Sequence, residues 1–233
     1  GSLMQLSDLA KLNEARRARR AAILITDLGT GESQVEVEGE NSRPDLREAM
    51  DRAYRTGKSG IVESGEDRRL FLNVQVPPPR IAVIGAVHIS QALAGMAEIA
   101  GFDIRIIDPR TAFATEERFG GIDLISDWPE DALRVRPLDA YTALVAVTHD
   151  PKIDDFPIES ALRARCFYVG ALGSRKTHAK RVERLLAAGL TEDEVARIDA
   201  PIGLDIGAQS PAEIAVAVLG AIIQAFRKRD LGR

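Results

Sequence analysis

The sequence predicts an α/β chain: a parallel sheet with flanking helices, preceded by a small α+β unit. Three observations carry this. From residue 80 onward, short apolar runs (RIAVIGA, DIRII, YTALVAV, CFYV) alternate with segments of helical pattern. Strands alternating with helices connect by right-handed crossovers into a parallel sheet. Earlier, residues 33–38 (SQVEVE) alternate as a half-buried strand should, among turn residues that favour hairpins. Between the two regions stands Pro77-Pro78-Pro79, which can continue neither a helix nor a central strand. The expected division is a domain at 1–76, a linker at 77–79 and a domain at 80–233.

In the first region, residues 3–20 read as a helix with Leu6, Leu9, Ala10 and Ala15 on one side. Residues 21–27 form a strand, Gly29-Thr30-Gly31 a turn, and 33–38 a second strand. A helix follows at 44–55 with Ser42 as its cap. Residues 61–76 read as two strands around Gly65-Glu66-Asp67. In the second region, strands are expected at 80–86, 103–107, 141–147 and 166–169, and helices at 88–100, 158–165 and 174–188, the last ended by Gly189. A short helix starts near Thr191. The last helix, 211–229, opens with Ser210 as cap, Pro211 in the first turn and Glu213 three after the cap.

Composition narrows the function. The 233 residues carry a formal net charge of −4, with 45% hydrophobic and 28% charged side chains. That is ordinary for a globular protein and argues against a general nucleic-acid binder. The Arg16, Arg17, Arg19 and Arg20 cluster reads as a solvated helix end. No apolar run approaches the roughly 18 residues of a membrane span, and the N-terminus has no signal-peptide core. A single cysteine, Cys166, excludes an internal disulfide and a cysteine-rich zinc site, and fits a reducing, cytoplasmic setting. Thr56-Gly57-Lys58-Ser59 resembles the end of a phosphate-binding loop, but Arg52 stands where that motif needs glycine.

Candidate chemistry gathers after the parallel strands, where such sheets place their ligand crevice. Gly85 and His88 lie between the first strand and its helix, at the position of a dinucleotide fingerprint, and Asp108 closes the next strand where a ribose-binding acid belongs. The topology is therefore Rossmann-like. Val87 and Ser90 replace the second and third glycines, which weakens NAD(P) binding. Thr148-His149-Asp150-Pro151-Lys152 follows YTALVAV. Gly170-Ala171-Leu172-Gly173-Ser174-Arg175-Lys176-Thr177-His178 follows CFYV. Cations at a helix start oppose its dipole, so Arg175 and Lys176 point to an anion such as phosphate. Asp205, Gly207 and Ser210 lead into the last helix, and Asp108-Pro109-Arg110 begins a further loop.

These segments resemble, in order, the C-terminal Rossmann-like domain of the XdhC/CoxI family, the accessory proteins of xanthine dehydrogenase and aerobic carbon monoxide dehydrogenase. The stretches that carry the resemblance are DPR-x-x-FAT at 108–115, THDPK at 148–152, FYVGALGSRKTHAKR at 167–181 and GLDIGAQSPAEIA at 203–215. The resemblance implies a maturation factor that binds molybdenum cofactor, with or without a nucleotide extension, supports its sulfuration and passes it to a molybdenum hydroxylase apo-enzyme. It favours a non-catalytic chaperone over an enzyme, with a cysteine desulfurase as a further partner and a homodimer as the expected state. An NAD(P)-dependent oxidoreductase and a ligand-free docking module are the alternatives. Under the resemblance, Gly85, His88, Asp108, Arg110, His149, Asp150, Lys152, Gly170, Gly173, Ser174, Arg175, Lys176, His178, Asp205, Gly207 and Ser210 are the cofactor-binding candidates. Gly173, Ser174, Arg175 and Lys176 would take the phosphate, and His149, Asp150, Arg175 and His178 the pterin or dithiolene. The sequence departs from the family pattern at Val87 and in having no cysteine before Pro77, where longer members carry a glycine-rich cysteine segment.

Overall fold

Strand pairing changes from antiparallel to parallel where the prolines stand. The structure is a computed structural model describing residues 5–110 and 119–231. It packs as two units, one holding the residues up to Pro77 with those from Arg227, the other Pro78–Phe226.

The first unit contains α1 (Leu6–Arg17), β1 (Ala22–Asp27), β2 (Ser33–Val37), a 3₁₀ turn (Pro44–Leu46), α2 (Arg47–Thr56), β3 (Gly60–Glu63) and β4 (Arg69–Gln75). Its four strands lie in the order β2-β1-β4-β3, antiparallel throughout. Leu12 and Ala15 of α1 share a core with Leu24, Val35 and Val37. Ser42 does not cap a helix. Its N–H and hydroxyl both donate to Glu36 Oε1, at 2.7 and 3.0 Å, because buried Glu36 needs donors more than the turn needs a cap. The tail belongs here too: Arg227 Nη1 donates to Arg55 O at 3.1 Å, and Arg229 Nη2 to Tyr54 O at 2.5 Å.

The second unit contains β5 (Arg80–Ile84), α3 (His88–Ile99), β6 (Asp103–Ile107), β7 (Asp123–Ile125), α4 (Pro129–Val135), β8 (Thr142–Ala146), α5 (Pro151–Arg163), β9 (Tyr168–Ala171), α6 (Arg175–Ala187), α7 (Glu192–Val195), β10 (Ile198–Asp199) and α8 (Pro211–Arg227). All six strands are parallel, in the order β10-β9-β8-β5-β6-β7. That is the Rossmann order, whose direction reverses between β5 and β8. The pleat sends alternate residues to opposite faces. Ile81, Val83, Ala143 and Val145 meet Leu93 of α3 and Val218 and Ile222 of α8. Ala82, Ile84, Leu144 and Ala146 meet Ile158 and Leu162 of α5. Both faces are thus covered, as an all-parallel sheet requires.

Five elements depart from the sequence expectation. α5 begins at Pro151, not near residue 158. Asp150 caps it by accepting from Lys152 N at 2.9 Å, and Pro157, which reads as a breaker, sits buried inside it. β9 starts at Tyr168, so Cys166 precedes the strand. β7, α4 and β10 have no counterpart in the sequence reading; two are strands of three and two residues. Among the described residues no helix is long and apolar enough to cross a membrane, and no group of His, Cys, Asp or Glu could hold a metal ion.

Candidate functional site

The loops after β5, β6, β8 and β9 meet at the carboxyl edge of the sheet. Gly85 has φ +123°, and a Cβ there would stand 3.1 Å from both Thr148 Cγ2 and Val147 Cγ2. The glycine therefore lets the two strands at the reversal point approach. His88 is exposed in the first turn of α3. Ser90 Oγ donates to Gly85 O and accepts from Val87 N at 3.3 Å, stitching the loop onto the helix.

Asp108 is fully buried, and its oxygens are turned onto its own chain. Oδ2 accepts from Ala86 N at 2.8 Å and Arg110 Nη2 at 2.9 Å; Oδ1 accepts from Arg110 N at 2.8 Å and Arg110 Nε at 3.0 Å. The hydrogen bonds that Arg110 donates to Asp108 hold its guanidinium above its ordinary pKa, with Asp154 and Asp150 adding attraction. The residues after Arg110 in the DPR-x-x-FAT stretch, 111–118, lie outside the described residues.

After β8, His149 is exposed with φ +64°, a left-handed conformation uncommon for a residue with a side chain. Its neighbours hold it there. Asp150 N donates to Thr148 Oγ1 at 3.0 Å, while Thr148 donates from N and Oγ1 to Asp154, at 3.2 and 2.6 Å. Asp154 is buried, and burial pushes its carboxyl up to about 6 against these bonds and the nearby charges of Arg181 and Arg110. Lys152 is exposed in the first turn of α5.

After β9, Gly170 leaves room for the Tyr168 ring: a Cβ would lie 2.6 Å from its hydroxyl. Tyr168 donates to Asp199 Oδ2 at 2.5 Å, and the same oxygen accepts from Gly203 N at 3.0 Å. Gly173 turns the chain with φ +142°. Ser174 caps α6, accepting from Thr177 N at 3.1 Å. Arg175 and Lys176 are exposed, and their side chains make no ion pair or hydrogen bond among the described residues. Beneath them Arg181 is buried. Its Nη2 donates to Leu172 O at 3.2 Å, its Nη1 lies 3.3 Å from His178 Nδ1, and its Nε has no partner among the described residues. Burial, then Arg181, lowers the His178 pKa.

Ser210 and Glu213 form the expected capping pair of α8: Glu213 N donates to Ser210 Oγ at 3.1 Å, and Ser210 N to Glu213 Oε1 at 3.0 Å. Asp205 and Gly207 are exposed. The structure therefore joins Asp108 and Arg110 with Ala86 in one bonded group, Asp150 with Thr148 and Asp154 in a second, beside His149, and Ser174 with His178, whose N–H donates to Ser174 O, in a third, after the Gly173 turn. It adds Asp154 and Arg181, which sequence reasoning did not single out. Their only signal is helical spacing: Asp154 lies one turn after Asp150 and Arg181 one turn after His178, on helices started by caps.

Comparison with known proteins matches residues 81–222 to the XdhC Rossmann domain. The chain belongs to the XdhC family. It is 30% identical over 203 residues to the uncharacterized protein YqeB of Escherichia coli K12, covering 79% of this chain and 35% of that protein. It is 35% identical over 161 residues to a Bacillus subtilis 168 protein named as a probable subunit of xanthine dehydrogenase, covering 69% and 46%. It is 28% identical over 146 residues to the molybdenum cofactor insertion chaperone PaoD of E. coli K12, covering 63% and 40%. The chain thus spans between about a third and a half of the length of these relatives. A crystal structure named as a xanthine dehydrogenase from Bacillus halodurans shares the fold, with a TM-score of 0.63, 23% identity, and coverage of 96% of this chain and 65% of that one. The XdhC domain and the parallel sheet therefore coincide, and the loops after β5, β6, β8 and β9 that the sequence marks all lie on its carboxyl edge.

Proposed function

We propose that this protein binds molybdenum cofactor and supports its sulfuration and insertion into a xanthine dehydrogenase-type hydroxylase, without turnover of its own. The observation that carries the reading is the start of α6. Two exposed cations, Arg175 and Lys176, stand without ion pairs where the helix dipole already favours an anion, and helix geometry leaves their backbone N–H groups without an intrahelical partner. Similarity to a protein named as a molybdenum cofactor insertion chaperone supports the same reading.

The donor set fits a phosphate-bearing group. Arg175 and Lys176 supply charge, the α6 N–H groups supply directed donors, and the Gly173 turn brings backbone close without a side chain. His149, held outward by its left-handed backbone, with Asp150 and His178, would face the pterin and dithiolene end. When bound, the cofactor supplies the molybdenum centre that the hydroxylase needs in its sulfurated form. The role of this chain is to hold the anion and orient the ring system.

Titration of the purified protein with molybdenum cofactor tests this. An Arg175→Ala/Lys176→Ala variant is expected to bind at least about tenfold more weakly, since charge-assisted contacts to phosphate are worth about 1.5–3 kcal/mol each. Unchanged affinity in that variant would overturn the assignment.

A further inference from the structure

We infer that Arg110 is a specificity-determining residue: by filling the acid at the end of β6 it closes this Rossmann domain to dinucleotides. The inference stands apart from the molybdenum cofactor reading, because it concerns what the crevice refuses.

An ionised carboxylate offers about four lone-pair sites for hydrogen bonds. In a dinucleotide-binding Rossmann domain, the acid ending the second strand uses them for ribose hydroxyls. Asp108 occupies that place, ending β6 beside the strand that leads the sheet, yet all four of its acceptor positions are taken. Backbone groups of Ala86 and Arg110 fill two, and the Arg110 guanidinium fills the other two in a bidentate pair. Asp108 is fully buried and Arg110 covers it, so a ribose would have to displace the guanidinium from a buried carboxylate to reach it.

The phosphate end is closed by the same logic. Pyrophosphate is cradled by N–H groups of the first loop. Here Ala86 N–H is spent on Asp108 and Val87 N–H on Ser90 Oγ. Val87 and Ser90, which stand in place of glycines, thus form part of the bonding that consumes those donors. Of these side chains, Arg110 is the one whose removal uncovers the Asp108 carboxylate while leaving the Ala86 and Val87 N–H bonds in place. Its removal would free two acceptor positions on Asp108, as many as a pair of ribose hydroxyls needs.

ADP-ribose is the probe, measured by calorimetry on the full chain. Wild type is expected to show no saturable binding at millimolar probe. Arg110→Ala is expected to gain at least about tenfold in affinity, and Arg110→Lys, which still places a cation on Asp108, much less. Arg110→Gln, which retains one donor, serves if Arg110→Ala does not fold, with an expected gain between the two. Saturable ADP-ribose binding by wild type overturns the inference. So does a folded Arg110→Ala, or in its place a folded Arg110→Gln, that gains nothing. Loss of molybdenum cofactor binding in the Arg175→Ala/Lys176→Ala variant has no bearing on either result, so the two readings fail separately.

Discussion

Asp154 is a carboxylate that the fold makes harder to ionise. Burial raises it from its ordinary 3.8 to about 6, while two Thr148 donors and the charges of Arg181 and Arg110 pull the other way and lose. The sign follows. The unfolded chain releases this proton near pH 4 and the folded chain near pH 6, so between them the folded state holds more protons. Stability from this group therefore falls as pH rises through that window and is level above it. Asp154→Asn removes the titration. Its amide oxygen can still accept from Thr148, while its NH₂ cannot, so the variant gives up one Thr148 bond at every pH and escapes the cost of a buried charge above about pH 6. Denaturation midpoints from pH 4 to 7 should show wild type losing stability relative to Asp154→Asn between about pH 4 and 6; a flat difference would overturn the assignment. Residues such as Asp154 and Arg181 were not legible in the sequence, because their character comes from being buried by helices that must first be placed. Gly85 and His149 were legible as positions at the carboxyl ends of parallel strands, since the apolar runs before them mark those ends. Asp108 was legible in place but not in orientation: nothing in DPR announces that Arg110 folds back onto it.

At the scale of elements, capped helices were readable and short strands were not. Ser210, Pro211 and Glu213 fix the start of α8 by local bonds that depend on nothing distant. β7 and β10 are three and two residues long, and only their neighbours in the sheet make them strands. The sequence pattern starts α5 seven residues late because Pro157 removes one backbone donor from its interior, a cost that the packing of Ile153, Ile158 and Leu162 offsets. α6 carries the opposite conflict, good capping with the wrong charge. Its first turn holds Arg175 and Lys176 and no acid. Each cation near a helix start costs about 0.3–1 kcal/mol at low salt. The Arg175→Ala/Lys176→Ala variant should therefore be more stable than wild type without ligand, melting about 1–8 °C higher for a chain of this size. The gain should shrink at high salt, as screening removes the repulsion. A lower melting temperature would mean that the cations serve the fold rather than a ligand.

At the scale of the whole molecule, the single cysteine reports on the parallel sheet. Cys166 lies just before β9, fully buried, in the core shared by Leu144, Ile158 and Leu185. Arg197 Nη2 holds its carbonyl at 2.6 Å, and burial, with Asp139 adding repulsion, pushes the thiol up to about 12. Thiolate is the reactive form, so at neutral pH the native protein presents almost none of it. Reaching the sulfur requires that α5 and α7 leave the sheet, an opening that belongs to the most protected part of the domain. Labelling by an excess of an aromatic disulfide reagent should therefore be at least about a thousandfold slower in native buffer than in denaturant, with a rate that follows opening rather than reagent reactivity. Cys166→Ala should leave molybdenum cofactor affinity within about twofold, since the thiol is not on the crevice side of the loop. Labelling within seconds in native buffer would overturn the first expectation, and a larger loss of affinity in Cys166→Ala the second. The consequence reaches function. No other cysteine stands in these 233 residues. Under the proposed function, a sulfur atom for the bound cofactor would find no exposed thiol on this chain to ride on, and a donor on another chain or segment would have to supply it.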